Sequence, residues 1–145
     1  MPLAIKSVKQ SFIPTEKVVK LMTTFRQMVN HCIRIGLENN ASTLKRLSKL
    51  AYAELARYDI ISYYKLCAIS RAAGILSNRK KSLKRRREPR QPYATRPLLL
   101  SCYGFKVVNG ILRAPLGNAE YFDIPLTVMS EGSYLILQSK FVLLH

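Results

Sequence analysis

The spacing of the apolar residues changes once along this chain, at a segment interrupted by prolines, and this change divides the chain into two parts. Before Pro89 the apolar residues recur every three or four positions, as in amphipathic helices. After Pro97 they form the short runs that are typical of β-strands. Because a helix does not readily continue through Pro89 and Pro92, the helical part should end before the later strands begin. The sequence therefore predicts an α+β fold.

Three helices are predicted in the first part of the chain. Thr15 is a favourable N-cap, and the helix dipole favours Glu16 in the first turn. Asn39-Asn40 is a stop signal, after which Ser42 can cap a second helix. The predicted helices run from Glu16 to about Glu38, from Ser42 to a break at Tyr58-Asp59, and from near Ser62 into a charged end before Pro89.

The second part of the chain contains several short predicted strands. Asn109-Gly110 between Val108 and Ile111 indicates a tight hairpin, since both residues readily adopt positive φ angles. Residues 3–12 alternate as an earlier strand, whose partners must come after residue 97, so the helices are interpreted as an insertion into a β unit. The predicted later strands are Leu98–Cys102, Phe105–Val108, Ile111–Arg113 and Glu120–Ile124.

The charge balance is the strongest indication of function. Twenty-four Lys and Arg oppose eight Asp and Glu, which gives a formal net charge of +16. Such a surplus attracts polyanions at long range and favours nucleic-acid binding. An anionic membrane surface is a weaker alternative, because no long helix pairs a cationic face with Trp or Phe. No apolar run approaches the roughly 20 residues that span a bilayer.

The cysteines and the beginning of the chain indicate where the protein resides. Cys32, Cys67 and Cys102 are odd in number and widely spaced, which favours reduced thiols. The chain has no CxxC pair for a structural zinc site, and Met1-Pro2-Leu3 does not open a signal peptide. We therefore expect a soluble, cytoplasmic protein.

One dense cluster of basic residues is the predicted nucleic-acid-binding site. Within this segment only Glu88 opposes the positive charge, so a polyanion would relieve the repulsion between the like charges. Phosphate contacts of this kind position a nucleic-acid backbone but do not read its sequence. The alternative is a solvated helix end or a localisation-type basic tract. The cluster comprises Arg79, Lys80, Lys81, Lys84, Arg85, Arg86, Arg87 and Arg90.

Two other features suggest nucleic-acid contacts more weakly. Tyr52, Tyr58, Tyr63 and Tyr64 lie among basic residues and could stack on unpaired bases, although a tyrosine at the edge of a core is commoner. The second and third helices, if joined near residues 58–61, resemble a helix-turn-helix. Helical bundles contain the same arrangement, so a stand-alone DNA-binding regulator stays an alternative.

Residues for catalysis are not grouped in the sequence. His31 lies inside the first helix and His145 ends the chain, so neither indicates a nucleophile–base set. The eight acids are scattered, whereas metal-dependent phosphodiester chemistry needs converging carboxylates. No phosphate-binding loop of the GxxxxGK[ST] type is present. We expect a binding module with no active site, no metal and no cofactor of its own.

The order of several segments resembles the N-terminal part of the TnpB (OrfB) family, insertion-sequence-encoded proteins related to the compact Cas12 nucleases. The resemblance covers about residues 3 to 126. It rests on Phe12-Ile13-Pro14-Thr15-Glu16 before a helix with Phe25 and Asn30, then a basic helical end, Leu98-Leu99-Leu100-Ser101-Cys102-Tyr103-Gly104-Phe105-Lys106, Gly110-Ile111-Leu112-Arg113-Ala114-Pro115-Leu116-Gly117 and Tyr121-Phe122-Asp123-Ile124-Pro125-Leu126.

This resemblance implies a partial, wedge-like β-barrel interrupted by a three-helix recognition insertion, in a protein that holds guide RNA and target DNA. Residues 1–14 would give the first wedge strand, 15–90 the recognition helices and 91–126 the later wedge strands. Family members continue into a RuvC-like nuclease domain and a zinc ribbon, which this sequence does not reach. No catalytic or zinc-ligating residue is therefore transferred, and Asp123 is not assigned to a metal.

Residues 127–145 do not match the family pattern. Two apolar runs, Tyr134-Leu135-Ile136-Leu137 and Phe141-Val142-Leu143-Leu144, could be strands, but they do not alternate clearly. A truncated reading frame, with a frame shift near residue 127, is our hypothesis for this tail. The predicted function is a nucleic-acid-binding module of a truncated transposon-encoded guided nuclease. The alternatives are the helix-turn-helix regulator and a non-functional transposase remnant.

Overall fold

A computed structural model of the protein describes residues 15–85, 92–94, 99–101, 106–117, 119–125 and 142–144. It shows the α+β class that the sequence predicts. The helices are α1 (Glu16–Glu38), α2 (Leu44–Ala51) and α3 (Ser62–Lys84), with a short 3₁₀ helix at Glu54–Arg57; the strands are β1 (Leu99–Ser101), β2 (Lys106–Val108), β3 (Ile111–Gly117), β4 (Glu120–Pro125) and β5 (Val142–Leu144). The first predicted strand, at residues 3–12, lies outside the described residues.

Helix α1 begins and ends as its sequence predicts. The Thr15 side chain accepts a hydrogen bond from the amide of Val18 and caps the first turn. At the other end, Asn40 has a positive φ of 50°, and the Ala41 amide donates to the Gly36 carbonyl at 2.8 Å. This backbone arrangement is a Schellman motif with asparagine at the left-handed position. It turns the chain directly toward α2.

Helix α2 differs from its prediction at both ends. The capping side chain is Thr43, not Ser42, and it accepts from the Arg46 amide at 3.3 Å. Ser42 uses its carbonyl group to accept a hydrogen bond from the Ser77 hydroxyl of α3. The helix ends at Ala51 instead of near Tyr58, and the remaining turn is the 3₁₀ helix.

The described strands form two antiparallel sheets. In one sheet β3 lies between β2 and β4, and in the other β1 pairs with β5. Within these described segments the sheets do not close into a barrel. The β2–β3 turn confirms the hairpin prediction, because Asn109 and Gly110 have φ angles of 51° and 74°. Part of the chain's tail, β5, pairs with β1.

Strand β3 is longer than predicted and passes through Pro115, which the sequence analysis places between strands. Pro115 pairs with Tyr121 of β4, beyond the last described pair with β2 and just before an irregularity in the register. Strands tolerate a proline at such positions because no ladder hydrogen bond is lost. Its carbonyl oxygen accepts a hydrogen bond from the buried hydroxyl of Tyr64 at 2.7 Å.

One apolar core joins the helices to the three-stranded sheet. Strands β3 and β4 turn one face inward, and the side chains of this inner face are Leu112, Ala114, Phe122 and Ile124. They share a cluster with the inner faces of α1, α2 and α3. The residues that alternate with them along β3 and β4 lie on the opposite face of the sheet, as expected for an antiparallel sheet covered on one side. Among the described helices, none has the length and apolarity needed to cross a membrane.

Candidate nucleic-acid interface

The second half of α3 carries the described part of the predicted basic cluster. Lys80, Lys81 and Lys84 are exposed, as is Arg85 at the helix C-cap, whereas Arg79 is partly buried. Arg86, Arg87 and Arg90 lie outside the described residues. The structure therefore places the first five members of the cluster at one end of a single helix.

Three of these lysines extend the face of α3 that meets the start of α2. The Ser77 hydroxyl donates to the carbonyl oxygen of Ser42 at 2.7 Å, which fixes this face against the loop before α2. Positions three, four and seven residues further along a helix lie on the same side. Lys80, Lys81 and Lys84 stand at these positions and are exposed, so they form a row on this side of α3 beyond the contact.

Helix α2 adds further positive charge, although one of its basic residues has a structural role. Lys45 and Lys49 are exposed. The Arg46 guanidinium donates to the carbonyl oxygens of Asn39 at 3.1 Å and Asn40 at 3.4 Å. Arg46 therefore stabilises the carboxyl end of α1, where the helix dipole favours a cation.

The positive charge on α2 and α3 has no acidic counterpart within those helices, since neither contains Asp or Glu. The ion pairs between described residues involve Glu54, Glu120 and Asp123, which lie on other elements. Like charges at positions i and i+4, such as Lys80 and Lys84, destabilise a helix. A polyanion seated along this face would remove that repulsion.

Arg79 lies between this charged face and the core. It stands three residues after the buried Leu76, so its stem follows the apolar stripe of α3. Its Nε is buried and has no hydrogen-bond partner within the described part of the chain. Long basic side chains commonly bury their stem and keep the charged end in water. Part of the Arg79 guanidinium is nevertheless inside the fold, unlike the exposed lysines beside it.

The four tyrosines near the helices are placed very differently. Tyr64 is fully buried and Tyr58 is half-buried, as expected for tyrosines of the core and its edge. Tyr52 and Tyr63, in contrast, are 48% and 46% exposed. Only Tyr52 and Tyr63 of this group can therefore offer a ring to a ligand.

His31 belongs to the interior of the helical part. It is buried, with Nδ1 3.4 Å from the Tyr58 hydroxyl oxygen and Nε2 3.9 Å from a carboxylate oxygen of Glu54. Burial, together with the positive charges of Arg57 and Arg34, lowers the pKa of the imidazole. The thiols of Cys32 and Cys67 are also buried, and burial raises the Cys32 pKa to about 12. Cys102 lies outside the described residues.

The outer face of the three-stranded sheet forms a second candidate surface, which our sequence analysis missed. It borders a groove of about 790 Å³. The exposed and buried residues alternate along β3 and β4, and this pattern is visible in the sequence. Which exposed residues lie side by side, however, follows only from the strand register. The lining residues include Tyr63, Lys106, Val108, Ile111, Arg113, Pro115, Tyr121 and Asp123.

The chain beyond the basic segment is attached to α1. The Asn30 side-chain amide donates to the Ala94 carbonyl at 3.0 Å, and its oxygen accepts from the Ala94 amide. This pair of bonds imitates the pairing of two strands. The two hydrogen bonds therefore hold Ala94 against the middle of α1.

Among the described residues, no group of three or more His, Cys, Asp or Glu side chains could hold a metal ion. Asp123 is instead paired with Arg113 across the sheet, at 2.9 and 3.2 Å. Comparison of the chain with family models, with curated proteins and with solved structures gives no match.

Proposed function

We propose that this chain is a nucleic-acid-binding module that holds structured RNA, and target DNA beside it, and that it corresponds to the N-terminal part of a TnpB/OrfB-like protein. The observation that carries the proposal is the row of Lys80, Lys81 and Lys84 on α3, a helix that contains no Asp or Glu, as α2 beside it contains none. The module acts by binding, without a catalytic centre or cofactor of its own, in the cytoplasm.

Counterion release explains why such a row would bind a nucleic acid. Each lysine that neutralises a phosphate releases condensed cations, and the entropy of their release drives binding. The rise of about 1.5 Å per residue places Lys80 and Lys84 about 6 Å apart along α3, close to the spacing of successive phosphates. The row can therefore follow a backbone without reading its bases.

The fold proposal is that the helices are inserted into a partial, wedge-like β-barrel. The supporting observation is the shared core, in which α1 and α3 pack on the sheet that follows them in sequence. Under this proposal, a strand from residues 3–12 joins the later strands. Paramagnetic labels on an N-terminal cysteine variant would test it, since they should broaden amide resonances of β1–β5 strands selectively.

The binding proposal is tested with a matched pair of variants. Lys80, Lys81 and Lys84 are changed to Gln in one variant, and Lys17, Lys20 and Arg34 on the exposed face of α1 in the control. Both variants lose three positive charges, and Gln keeps a high helix propensity. Binding to a hairpin RNA and to duplex DNA of matched length is measured at physiological salt by fluorescence anisotropy.

We expect the α3 variant to bind the hairpin RNA roughly tenfold to a hundredfold more weakly, and the control variant to change by less than about threefold. Equal losses in both variants would show that net charge alone determines binding, which contradicts the proposed interface. Tight, sequence-dependent binding to duplex DNA would favour the helix-turn-helix regulator. The connection between α2 and α3, residues 52–61 with a 3₁₀ helix, is longer than the 3–4-residue turn of that motif.

A further inference from the structure

We propose that the outer face of the three-stranded sheet is a stacking site for an unpaired nucleobase, with Tyr121 and Tyr63 as the aromatic surfaces. This inference rests on the proposed function, because it assigns a second contact to the same nucleic acid. It concerns a different surface, however, and a different kind of interaction from the lysine row of α3.

The two tyrosine rings are available to a ligand although they come from distant parts of the chain. Tyr121 on β4 is 54% exposed and Tyr63 in the first turn of α3 is 46% exposed, and both line the same groove. The contact that brings them together is made by the neighbouring residue, since the Tyr64 hydroxyl donates to the Pro115 carbonyl and Pro115 pairs with Tyr121. The buried contact between Tyr64 and Pro115 thus places the rings of Tyr63 and Tyr121 on the same side of the molecule.

Arg113 makes a cation–π contact with the Tyr121 ring. Its guanidinium carbon lies 5.7 Å from the centre of that ring. The guanidinium is held in place by the hydrogen bonds from Nε and Nη2 to the two carboxylate oxygens of Asp123. The fixed guanidinium lies over one face of the ring. A base would therefore stack on the guanidinium plane or on the other face of the ring, as unpaired bases do on arginine and aromatic side chains.

The charges across the sheet favour an anionic occupant over an apolar protein surface. Lys106, Arg113 and Asp123 stand opposite one another on β2, β3 and β4. Directly opposed like charges destabilise a sheet, and Asp123 compensates only one of the two cations. The phosphate that flanks a stacked base would compensate the other, whereas an apolar partner would bury Lys106 unpaired.

The groove is large enough for one base, and part of its lining is apolar. Val108 and Ile111, at the two ends of the β2–β3 turn, are exposed and line the groove with Pro115. The groove volume of about 790 Å³ accommodates one base with its ribose and phosphate.

A tryptophan reporter tests this site directly, because the chain contains no Trp. In Tyr121→Trp, the single indole should be quenched when a base stacks on it. The probes are an oligoadenylate RNA and an abasic strand of the same length and charge. Quenching by the oligoadenylate and not by the abasic strand is the expected result, and equal responses to both would overturn the proposal.

Affinity measurements separate stacking from electrostatics. Tyr121→Leu should weaken oligoadenylate binding by about fivefold to a hundredfold, the range for one lost stacking contact, while Tyr121→Phe binds nearly as the wild type does. The slope of log Kd against log salt should stay the same in both. The Lys80, Lys81 and Lys84 variant should instead weaken both probes equally and lower the slope.

The outcomes distinguish the two proposals. If the lysine variant behaves as expected but Tyr121→Leu binds as the wild type does, the stacking site is wrong and the charged interface stands. If Tyr121→Leu changes the sedimentation of the protein without changing its RNA affinity, the groove is a contact between protein copies, which also overturns the stacking site. Far-UV circular dichroism of each variant checks that the fold is retained.

Discussion

The α2–α3 surface and the outer face of the sheet carry positive charge in opposite ways. On α2 and α3 the cations have no acid within their own helices. On the sheet, Arg113 is paired with Asp123, and Glu120 of β4 is paired with Lys17 of α1. Among the described residues, the helical surface therefore offers exposed ammonium groups without an acidic partner, whereas the sheet offers an immobilised guanidinium over an aromatic ring.

Under the two proposals, this difference would let one small chain contact two parts of the same ligand. Uncompensated lysines interact with phosphates wherever they lie, and salt weakens that interaction. A ring and a fixed guanidinium interact with the flat face of a base, and salt affects that interaction little. The helical surface would supply affinity, and the sheet surface would prefer unpaired over paired nucleotides.

The largest effect on the scaffold of the helical surface is expected from Gly36→Ala. A methyl group at Gly36 would overlap Cδ1 of Leu76 and lie 2.8 Å from the Ala41 carbonyl oxygen. Because that oxygen belongs to the fixed loop before α2, the clash cannot be relieved by one rotamer change. We expect a loss of about 1–3 kcal/mol in the free energy of unfolding, measured with urea.

If Gly36→Ala unfolds at the wild-type urea concentration, the close approach of α1 to α2 and α3 is wrong. The same variant also sharpens the comparison. Combined with the Tyr121→Trp reporter, it should weaken RNA binding through the lysine row, which depends on this packing, more than it affects quenching of the indole on the sheet.

Tyr64→Phe should lower the stability by an intermediate amount and weaken the contact between α3 and the three-stranded sheet. The substitution leaves the Pro115 carbonyl without the hydroxyl that donates to it at 2.7 Å. Loss of a buried hydrogen bond costs about 1–2 kcal/mol. Hydrogen exchange should accelerate in β3 and β4 more than in the centre of α1, and uniform acceleration would contradict a local link between α3 and the sheet.

Gly74→Ala should give a smaller effect of opposite sign. Gly74 lies in the middle of α3, and a methyl group there would meet no atom within 4 Å. Alanine lowers the backbone entropy of the unfolded chain, so the variant should be more stable by about 0.5–1 kcal/mol. Reduced stability in urea would show that this face of α3 is not open.

The smallest effect concerns the buried histidine and appears as a pH dependence. Because the folded-state pKa of His31 is lowered, the unfolded chain takes up a proton at a higher pH than the folded chain does. Stability should therefore be constant above the ordinary histidine pKa of about 6.5 and fall as the pH decreases below it. His31→Gln should remove this dependence, and an unchanged pH profile would contradict the buried, neutral imidazole.

The helices could be predicted well because their signals are local. Thr15 and Asn39-Asn40 bound α1 through hydrogen bonds within a few residues, and Ser62 begins α3 where the periodicity indicates. The cap of α2 could not be predicted in the same way. Ser42 and Thr43 are adjacent and both are favourable N-cap residues, so the sequence does not distinguish between them.

The sites follow the same rule. A run of basic residues is visible in any sequence, so the lysines of α3 could be named in advance. The groove on the sheet could not, because it depends on the register that places Arg113 opposite Asp123 and on a hydrogen bond between Tyr64 and Pro115. The alternation along β3 and β4 is visible in the sequence, but the pairing between the strands and their contact with α3 are not.

The salt dependence of RNA binding tests the central claim most directly. The slope of log Kd against log salt is measured for the wild type, for the variant with Gln at 80, 81 and 84, and for the α1 control. We predict that the α3 variant lowers the slope by about 2–3, since each phosphate contact contributes about 0.7–0.9, while the control keeps the wild-type slope. Parallel lines for all three proteins would contradict the assignment of the interface to α3.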